Sequence, residues 1–176
     1  MKDGIVVDEP GFYRVIALKP FRKTEGVTFD LVPMEALPVI SAIDRVIHKR
    51  GALSPGAVAG VQRPWYMHTQ QEDNLLVLQG RRTVEIYTVE RGRVETFVVE
   101  PERVTHGKRI VCDRPAMLVW PRRVFHRITS GARGSISLNF AVRDPDCDMK
   151  TNFNIYDLDT EKGAFTLVRE GHLDQS

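Results

Sequence analysis

The sequence predicts an all-β domain, either a sandwich or a closed barrel of short antiparallel strands. From residue 75 to residue 142, apolar and polar side chains alternate over short segments, which is typical of strands with one buried face. Turn-forming glycine and proline residues separate these segments at short intervals. Strands this short and this closely spaced favour a sandwich or barrel over parallel βαβ units.

The N-terminal part of the chain predicts two strands and one ambiguous segment. Residues 11–20 are typical of a short strand closed by a proline, and residues 27–32 of a second strand. Residues 34–48 are compatible with either a helix or a strand. Three isoleucines have the spacing of one helix face, whereas the last six residues alternate as in a strand. We interpret this segment as a short helical turn that leads into a strand.

From residue 65 onward the pattern predicts a series of strands. Gly80 is expected to end the first of them in a tight turn, and residues 90–92 form a hairpin turn. Further turns are expected at 105–108 and 130–134. The predicted strands are 75–79, 83–89, 93–99, 109–112, 116–120, 124–129 and 135–142.

The C-terminal segment, 144–176, predicts a peripheral hairpin outside a barrel core of about 40–143. Two segments with apolar side chains, 152–156 and 164–168, flank a polar turn there. The same hairpin also suits a dimer arm, since the outer strands of such sheets are open to pairing with a partner. Residues 1–176 are therefore predicted to form a single domain with N- and C-terminal extensions.

Composition and charge limit the classes of function. The 176 residues are 42% hydrophobic and 27% charged, as in globular domains of ordinary size. A net charge of +2 does not favour nucleic-acid binding, and no apolar run approaches the ~18 residues of a membrane span. The N-terminus lacks the pattern of a secretory signal, so we expect a cytoplasmic protein. The two cysteines, Cys112 and Cys147, are expected to be free thiols.

Two segments carry the residues best suited to chemistry. The first brings Tyr66, His68 and Asp73 to the entrance of the apolar strand that ends at Gly80. The second is a strand and a proline break followed by His126 at the start of the next strand. Imidazole, phenol and carboxylate groups suit both metal binding and proton transfer near neutral pH.

The first segment resembles the first motif of the cupin superfamily, which reads H-x-H, three or four residues, E, six residues, G. Counting back from Gly80 places Asp73 at the acidic position and His68 at the second histidine. Tyr66 then occupies the position of the first histidine. Aspartate therefore replaces glutamate, and a phenol replaces one imidazole.

The second segment resembles the second cupin motif, P-x-G-x-x-H-x-x-x-N. Pro121 and His126 match it, while Arg123 stands in place of glycine and Ser130 in place of asparagine. The pair of motifs implies the fold of that superfamily, a double-stranded β-helix or cupin jelly-roll barrel. The resemblance also implies a homodimer, while the charge and the lack of a long apolar run predict no nucleic-acid or membrane partner.

Many cupins hold a divalent metal with imidazoles and one carboxylate. The resemblance implies that His68, His126 and Asp73 would be the metal ligands here. Iron, manganese, nickel and zinc all suit such a set of nitrogen and oxygen ligands. The chain would then be a metal-dependent dioxygenase or isomerase.

The first segment is also similar to the nucleotide-deoxysugar epimerases and ketoisomerases within the cupins, which work without metal. That resemblance implies a catalytic set in which His68 is the base and Asp73 orients it. Tyr66 or His126 would be the acid that protonates the enolate. The ligand in the barrel would be a sugar or sugar-nucleotide, a small carbohydrate-derived molecule.

Alternatives without catalysis remain open on the sequence. His68 and His126 can be interior histidines that hydrogen-bond to Tyr66 and Asp73. The barrel can also bind a small ligand without turnover, or serve as a scaffold, because a fold alone does not determine function. The arginine pair at 122–123 is expected to be solvated or salt-bridged at the surface.

Overall fold

The structure, a computed structural model, describes residues 4–175, and these residues are nearly all β. The N-terminal strands are β1 (Ile5–Glu9), β2 (Tyr13–Ala17), β3 (Lys19–Thr24), β4 (Val27–Leu31) and β5 (Ala42–His48), with a short 3-10 helix at Met34–Ala36. The central strands are β6 (Leu53–Ser54), β7 (Trp65–Met67), β8 (Gln71–Thr88), β9 (Arg93–Glu100), β10 (Arg103–His106), β11 (Arg109–Cys112) and β12 (Ala116–Trp120). The C-terminal strands are β13 (Phe125–Arg143), β14 (Ile155–Asp159) and β15 (Ala164–Arg169), followed by a 3-10 helix at Gly171–Asp174.

Thirteen of the strands described form one sheet in which every pairing is antiparallel. The order along its longest path is β1-β2-β12-β8-β13-β7-β14-β15. Strands β5 and β6 also pair with β13, and β9 also pairs with β8. The sheet therefore wraps around the two long strands β8 and β13, while β3 and β4 form a separate hairpin. The all-β prediction is confirmed.

Apolar side chains fill one part of the interior because inward positions alternate with outward ones along each strand. Val15 on β2, Val84 on β8, Phe97 on β9 and Leu118 on β12 are fully buried in one cluster. Each such side chain contributes about 1.5–3 kcal/mol through its removal from water. Cys112 lies in the same cluster as a small buried side chain. The inward positions towards the ends of β8 and β13 are polar instead, and they build the site.

The two central strands are longer than the sequence predicted. The predicted turn at Gly80 is wrong, because β8 continues through this residue from Gln71 to Thr88. Gly80 instead has a φ of 77°, and a Cβ there would lie 2.1 Å from the carbonyl oxygen of Gly134. The turn predicted at 130–134 is also wrong, since β13 runs through it with a shift of register.

The N-terminal region differs from the prediction in two ways. Strand β1 was not predicted, and it joins the main sheet through β2, so the sheet begins before residue 40. The proline at position 20 does not close a strand but lies inside β3, an edge strand that tolerates a missing N–H. The ambiguous segment resolves as a helical turn followed by strand β5, as predicted.

The C-terminal segment contains a hairpin, β14 and β15, and β14 pairs with β7. Its strands lie close to the predicted segments at 152–156 and 164–168. The residues just before β14 reach the interior of the barrel, so the hairpin also shapes the site. Within residues 4–175, no helix has the length and apolar character that crossing a membrane requires.

Candidate active site

A cavity of about 230 Å³ lies between strands β5, β8, β12 and β13. Aromatic, imidazole, amide and charged side chains line it together with a few aliphatic ones. The lining residues are Asp44, Val46, His48, Ser54, Tyr66, His68, Gln71, Asp73, Leu75, Arg82, Trp120, His126, Ile128, Ser137, Asn139 and Phe153. All four candidate catalytic residues predicted from the sequence therefore reach one space.

Strand alternation places Asp73 inside the cavity. Gln71, Asp73 and Leu75 lie at alternate positions of β8 and line the cavity. Glu72 points the other way and pairs with Arg14 at 2.9 Å. Of these two neighbouring carboxylates, only that of Asp73 therefore lines the cavity.

Amide groups hold one oxygen of the Asp73 carboxylate in place. Gln71 Nε2 and Asn139 Nδ2 each donate a hydrogen bond to Asp73 Oδ1 at 2.7 Å. Gln71 is fixed in turn, because its Oε1 accepts from Arg143 Nε at 2.8 Å and from Asn152 Nδ2 at 3.0 Å. These contacts orient the second oxygen, Oδ2, towards the histidines.

Both ring nitrogens of His68 are occupied. Its Nε2 lies 3.2 Å from Asp73 Oδ2, and its Nδ1 is hydrogen-bonded to the backbone carbonyl oxygen of Asn152. A carbonyl oxygen can only accept, so Nδ1 carries a proton. Burial lowers the pKa of His68, but the charge and hydrogen bond of Asp73 outweigh burial and raise the pKa overall. His68 is therefore the protonated histidine of the site.

His126 has one ring nitrogen without a hydrogen-bond partner. Its Nδ1 donates to the backbone carbonyl of Val124 at 3.2 Å, whereas its Nε2 lies 3.8 Å from Asp73 Oδ2, beyond hydrogen-bond distance. Burial and the positive charge of His68 lower the pKa of His126 to about 4. His126 is therefore neutral near pH 7, and its Nε2 lone pair is available.

Aromatic rings enclose the two imidazoles, whose centroids are 4.8 Å apart. The ring of Tyr66 lies 6.4 Å from that of His68 and 5.9 Å from that of His126. Burial raises the pKa of Tyr66, so its hydroxyl stays protonated, and this hydroxyl lies beside Ser54. Trp120 packs on His126 with ring centroids 5.1 Å apart.

No protein-family model and no curated protein matches the sequence, but solved structures match the fold. QdtA, a sugar 3,4-ketoisomerase from Thermoanaerobacterium thermosaccharolyticum in complex with TDP, has a TM-score of 0.56 and 11% identity over 78% of this chain and 85% of that chain. A dTDP-4-dehydrorhamnose 3,5-epimerase from Sulfolobus tokodaii has a TM-score of 0.55 and 13% identity over 82% of this chain and 77% of that one. WlaRB, a TDP-quinovose 3,4-ketoisomerase from Campylobacter jejuni, has a TM-score of 0.51 and 12% identity over 77% of this chain and 89% of that one. The chain has the cupin jelly-roll fold.

This cupin barrel also presents a set of atoms that suits a metal ion. The ligand atoms of His68, Asp73 and His126 all lie within 4.8 Å of one another, and the three side chains are buried. Both histidines direct Nδ1 to a backbone carbonyl and Nε2 towards Asp73, which is the usual orientation of metal-binding imidazoles. The shorter side chain of aspartate still reaches both rings, so the donor set fits a divalent metal.

Several residues of the site were not predicted from the sequence. Gln71 was not distinguished from its neighbours, although its alternation with Asp73 on one strand is a signal. Asn139 lies on an inward position of β13 and can be found in the same way. Asn152 reaches the site from the C-terminal segment, and only tertiary structure brings it there.

The arginines and tryptophans near the two motifs have separate roles. Arg122 pairs with Asp144 at 2.6 Å and Arg123 is exposed, as predicted for surface arginines. Trp120 lines the cavity, but Trp65 does not, because its ring packs against the guanidinium of Arg127 instead. Cys112 and Cys147 are both free, as predicted.

Proposed function

We propose that this cupin is an isomerase or epimerase that moves a proton next to the carbonyl group of a sugar or sugar-nucleotide. The observation that carries the proposal is the unequal state of the two buried histidines around Asp73. Two titratable groups whose environments drive their pKa values apart form an acid–base pair in one site. The ketoisomerases and epimerases with the same fold support this class of reaction.

His126 is the base in this mechanism. Its free Nε2 takes a proton from the carbon next to the substrate carbonyl, and the electrons of the broken C–H bond form a C=C double bond. The carbonyl oxygen then carries the negative charge. The sequence resemblance favours His68 as the base, but both nitrogens of His68 are occupied, so the geometry supports the reverse assignment.

Tyr66 and His68 act on the developing charge. In the ketoisomerase route the Tyr66 hydroxyl, kept protonated by burial, donates a proton to the enolate oxygen, and the imidazolium of His68 stabilises the negative charge. Protonated His126 then gives its proton to the former carbonyl carbon, while the hydroxyl on the carbon that lost its C–H proton returns a proton to the Tyr66 oxygen and becomes the new carbonyl. In the epimerase route, His68 alone holds the enolate oxygen, and the Tyr66 hydroxyl protonates the deprotonated carbon from the face opposite His126 as the carbonyl re-forms.

Solvent deuterium incorporation tests this function. The protein in D₂O is incubated with a panel of dTDP-4-keto-6-deoxy sugars and free ketoses, and the products are examined by mass spectrometry. We expect deuterium next to the carbonyl of at least one substrate, and a rate about 10²–10⁴-fold lower in His126→Gln. His106→Gln, a histidine outside the cavity, is the matched control. Exchange with no substrate, or a full rate in His126→Gln, contradicts the proposal.

A metal-dependent isomerase or dioxygenase is the second candidate function, favoured by the convergence of three ligand atoms within 4.8 Å. His68, Asp73 and His126 would hold iron, manganese, nickel or zinc. A bound divalent cation supplies Lewis-acid polarisation of a substrate oxygen. Elemental analysis of the purified protein distinguishes the two candidate functions. One metal ion per chain, lost in His68→Ala, supports the metal-dependent enzyme. Metal-free protein that exchanges deuterium excludes the metal-dependent enzyme.

A ligand-binding role without turnover is a further outcome of the same tests. In that case a member of the panel raises the melting temperature but takes up no deuterium. The homodimer implied by the cupin resemblance also remains a prediction. Sedimentation velocity is expected to give twice the 20.0 kDa mass of one chain.

A further inference from the structure

A buried arginine without an acidic partner lines the same cavity. Arg82 lies further along β8 than Asp73 and is only 1% exposed. Its Nε donates to Ser135 Oγ at 3.0 Å, and its Nη2 donates to the carbonyl oxygen of Val46 at 3.1 Å. A guanidinium group has five N–H donors, so three of them remain. Among residues 4–175, no carboxylate forms an ion pair with it.

Two further polar atoms near this arginine lack partners. His48 Nδ1 and Ser137 Oγ are buried, line the cavity and form no hydrogen bond within the described chain. Burial and the positive charge of Arg82 lower the pKa of His48 to about 4, so His48 is neutral. The surroundings of Arg82 therefore offer several hydrogen-bonding groups and no negative charge.

The acidic residues of the cavity are already occupied elsewhere. Asp73 is paired with His68, and Asp44 faces Asn139 at 3.4 Å and Arg143 at 4.0 Å. Neither of these carboxylates forms an ion pair with Arg82, so the charge of Arg82 has no acidic partner among the described residues. Burial lowers the pKa of Arg82 to about 10, so the side chain is still protonated near pH 7.

A buried charge that meets only neutral partners is strongly unfavourable. Two hydrogen bonds to a hydroxyl and a carbonyl oxygen can be made by a neutral donor, so they do not account for a guanidinium at this position. A guanidinium does match the geometry of a carboxylate or phosphate group, which accepts several N–H bonds at once. The arrangement is therefore suited to an anionic ligand.

The size of the cavity limits that ligand. Sites for drug-sized molecules are typically about 300–1,000 Å³, whereas this cavity is about 230 Å³. A monosaccharide with one compact oxyanion is the largest class of molecule that we expect to enter it fully.

We propose that Arg82 binds the oxyanion of an acidic monosaccharide, a sugar carboxylate or a sugar phosphate, inside the barrel. The orientation of the rest of the molecule, with its carbonyl group towards His126, rests on the proposed function. Anion binding at Arg82 does not depend on that function. The substrate class thus becomes an acidic sugar that fits inside the cavity.

Binding without turnover tests this proposal. Isothermal titration calorimetry measures the Kd of D-glucuronate, D-glucose 6-phosphate and D-glucuronamide, the neutral counterpart of the first. We expect at least one of the two anions to bind 10-fold or more tightly than the amide. The anion that binds more tightly shows whether the site takes a sugar carboxylate or a sugar phosphate. In Arg82→Gln this preference is lost. Arg81→Gln is the matched control, because Arg81 precedes it on the same strand and is exposed.

The wild-type comparison of acid with amide stands even if Arg82→Gln does not fold. If neither glucuronate nor glucose 6-phosphate binds at least 10-fold more tightly than glucuronamide, the anion site is overturned. Neither result affects the deuterium exchange test with ketosugars, so failure of the anion site and failure of the isomerase proposal are separate observations.

Discussion

Asp73 is shared by two histidines that line the same cavity and carry different charges. Its Oδ2 is 3.2 Å from Nε2 of His68, within hydrogen-bond distance, and 3.8 Å from Nε2 of His126, beyond that distance. All three residues are only 4% exposed, so solvent does not screen the electrostatic difference between the two histidines. His68 keeps the proton, and its charge then disfavours a second proton on His126.

These two histidines change stability with pH in opposite directions. The pKa of His126 is about 4 when folded against an ordinary value of 6.5, so the unfolded chain binds more protons between these values. The free energy of unfolding therefore falls as the pH falls through that window. The pKa of His68 is raised by folding, so its contribution is complete below pH 6.5 and is lost as the pH rises through the folded pKa.

Urea unfolding at pH 7 and pH 5 checks the first of these directions. We expect the wild-type protein to lose about 2 kcal/mol more than His126→Gln between the two values, because the variant lacks the buried neutral imidazole. His106→Gln is the control, because His106 lies outside the cavity. An equal loss in the wild-type protein and His126→Gln would mean that His126 titrates normally.

At the scale of elements, the pairing of β8 with β13 holds the site together. The two strands pass so closely at Gly80 that a Cβ would lie 2.1 Å from a backbone oxygen of Gly134. The pairing of β8 with β13 is irregular between Val77 and Gln79, which shifts the inward alternation along β8, so that both Asp73 and Arg82 line the same cavity.

Gly80→Ala is therefore predicted to be severely destabilising, by about 3 kcal/mol or more, since it adds a backbone clash to an unfavourable φ. Gly92→Ala is the matched control, because Gly92 also has a positive φ but no atom lies within 4 Å of the position that its added methyl group would take. We expect the control to cost only about 1–2 kcal/mol. Chemical unfolding of both variants measures the difference, and equal losses would exclude the close approach as the cause.

Arg127 links three elements below the cavity. Its Nε and Nη2 each donate to Glu85 at 2.9 Å, and its Nη1 donates to the carbonyl oxygen of Arg63 at 2.9 Å. The guanidinium also lies 4.1 Å from the centre of the Trp65 ring. Strands β13, β8 and β7 are thereby held in one arrangement.

Arg127→Lys is predicted to lower the free energy of unfolding by about 1–2 kcal/mol, because an ammonium cannot reproduce the paired donors or the stacking. Arg93→Lys, in an exposed pair with Glu95, is expected to change it by less than about 0.5 kcal/mol. Thermal or urea unfolding measures both. A negligible effect at position 127 would show that the cluster does not stabilise the strand junction.

At the scale of the whole molecule, the cupin fold could be predicted because two local signals agree. Short alternating strands indicate an antiparallel barrel, and the spacing from His68 through Asp73 to Gly80 matches one cupin motif. His126 after Pro121 matches the other. The convergence of both histidines on one carboxylate follows from the fold and was expected from these motifs.

Other features could not be predicted because they depend on tertiary contacts. Gly80 looks like a turn residue, yet its positive φ serves a close crossing of strands. Asn152 is distant in sequence from the motifs and enters through the C-terminal segment. Arg82 appears in the sequence as one of two adjacent arginines, and only the shift of register in β8 places it on the cavity side.

The protonation states of the two histidines are the central claim, and ¹⁵N NMR of the histidine side chains measures them directly. Near neutral pH we predict one imidazolium, assigned to His68 by its loss in His68→Gln, and one neutral ring protonated at Nδ1, assigned to His126 by its loss in His126→Gln. Asp73→Asn should convert the imidazolium into a neutral ring, because the charge that raises its pKa is removed. A neutral His68 or a charged His126 in the wild-type protein would contradict the account.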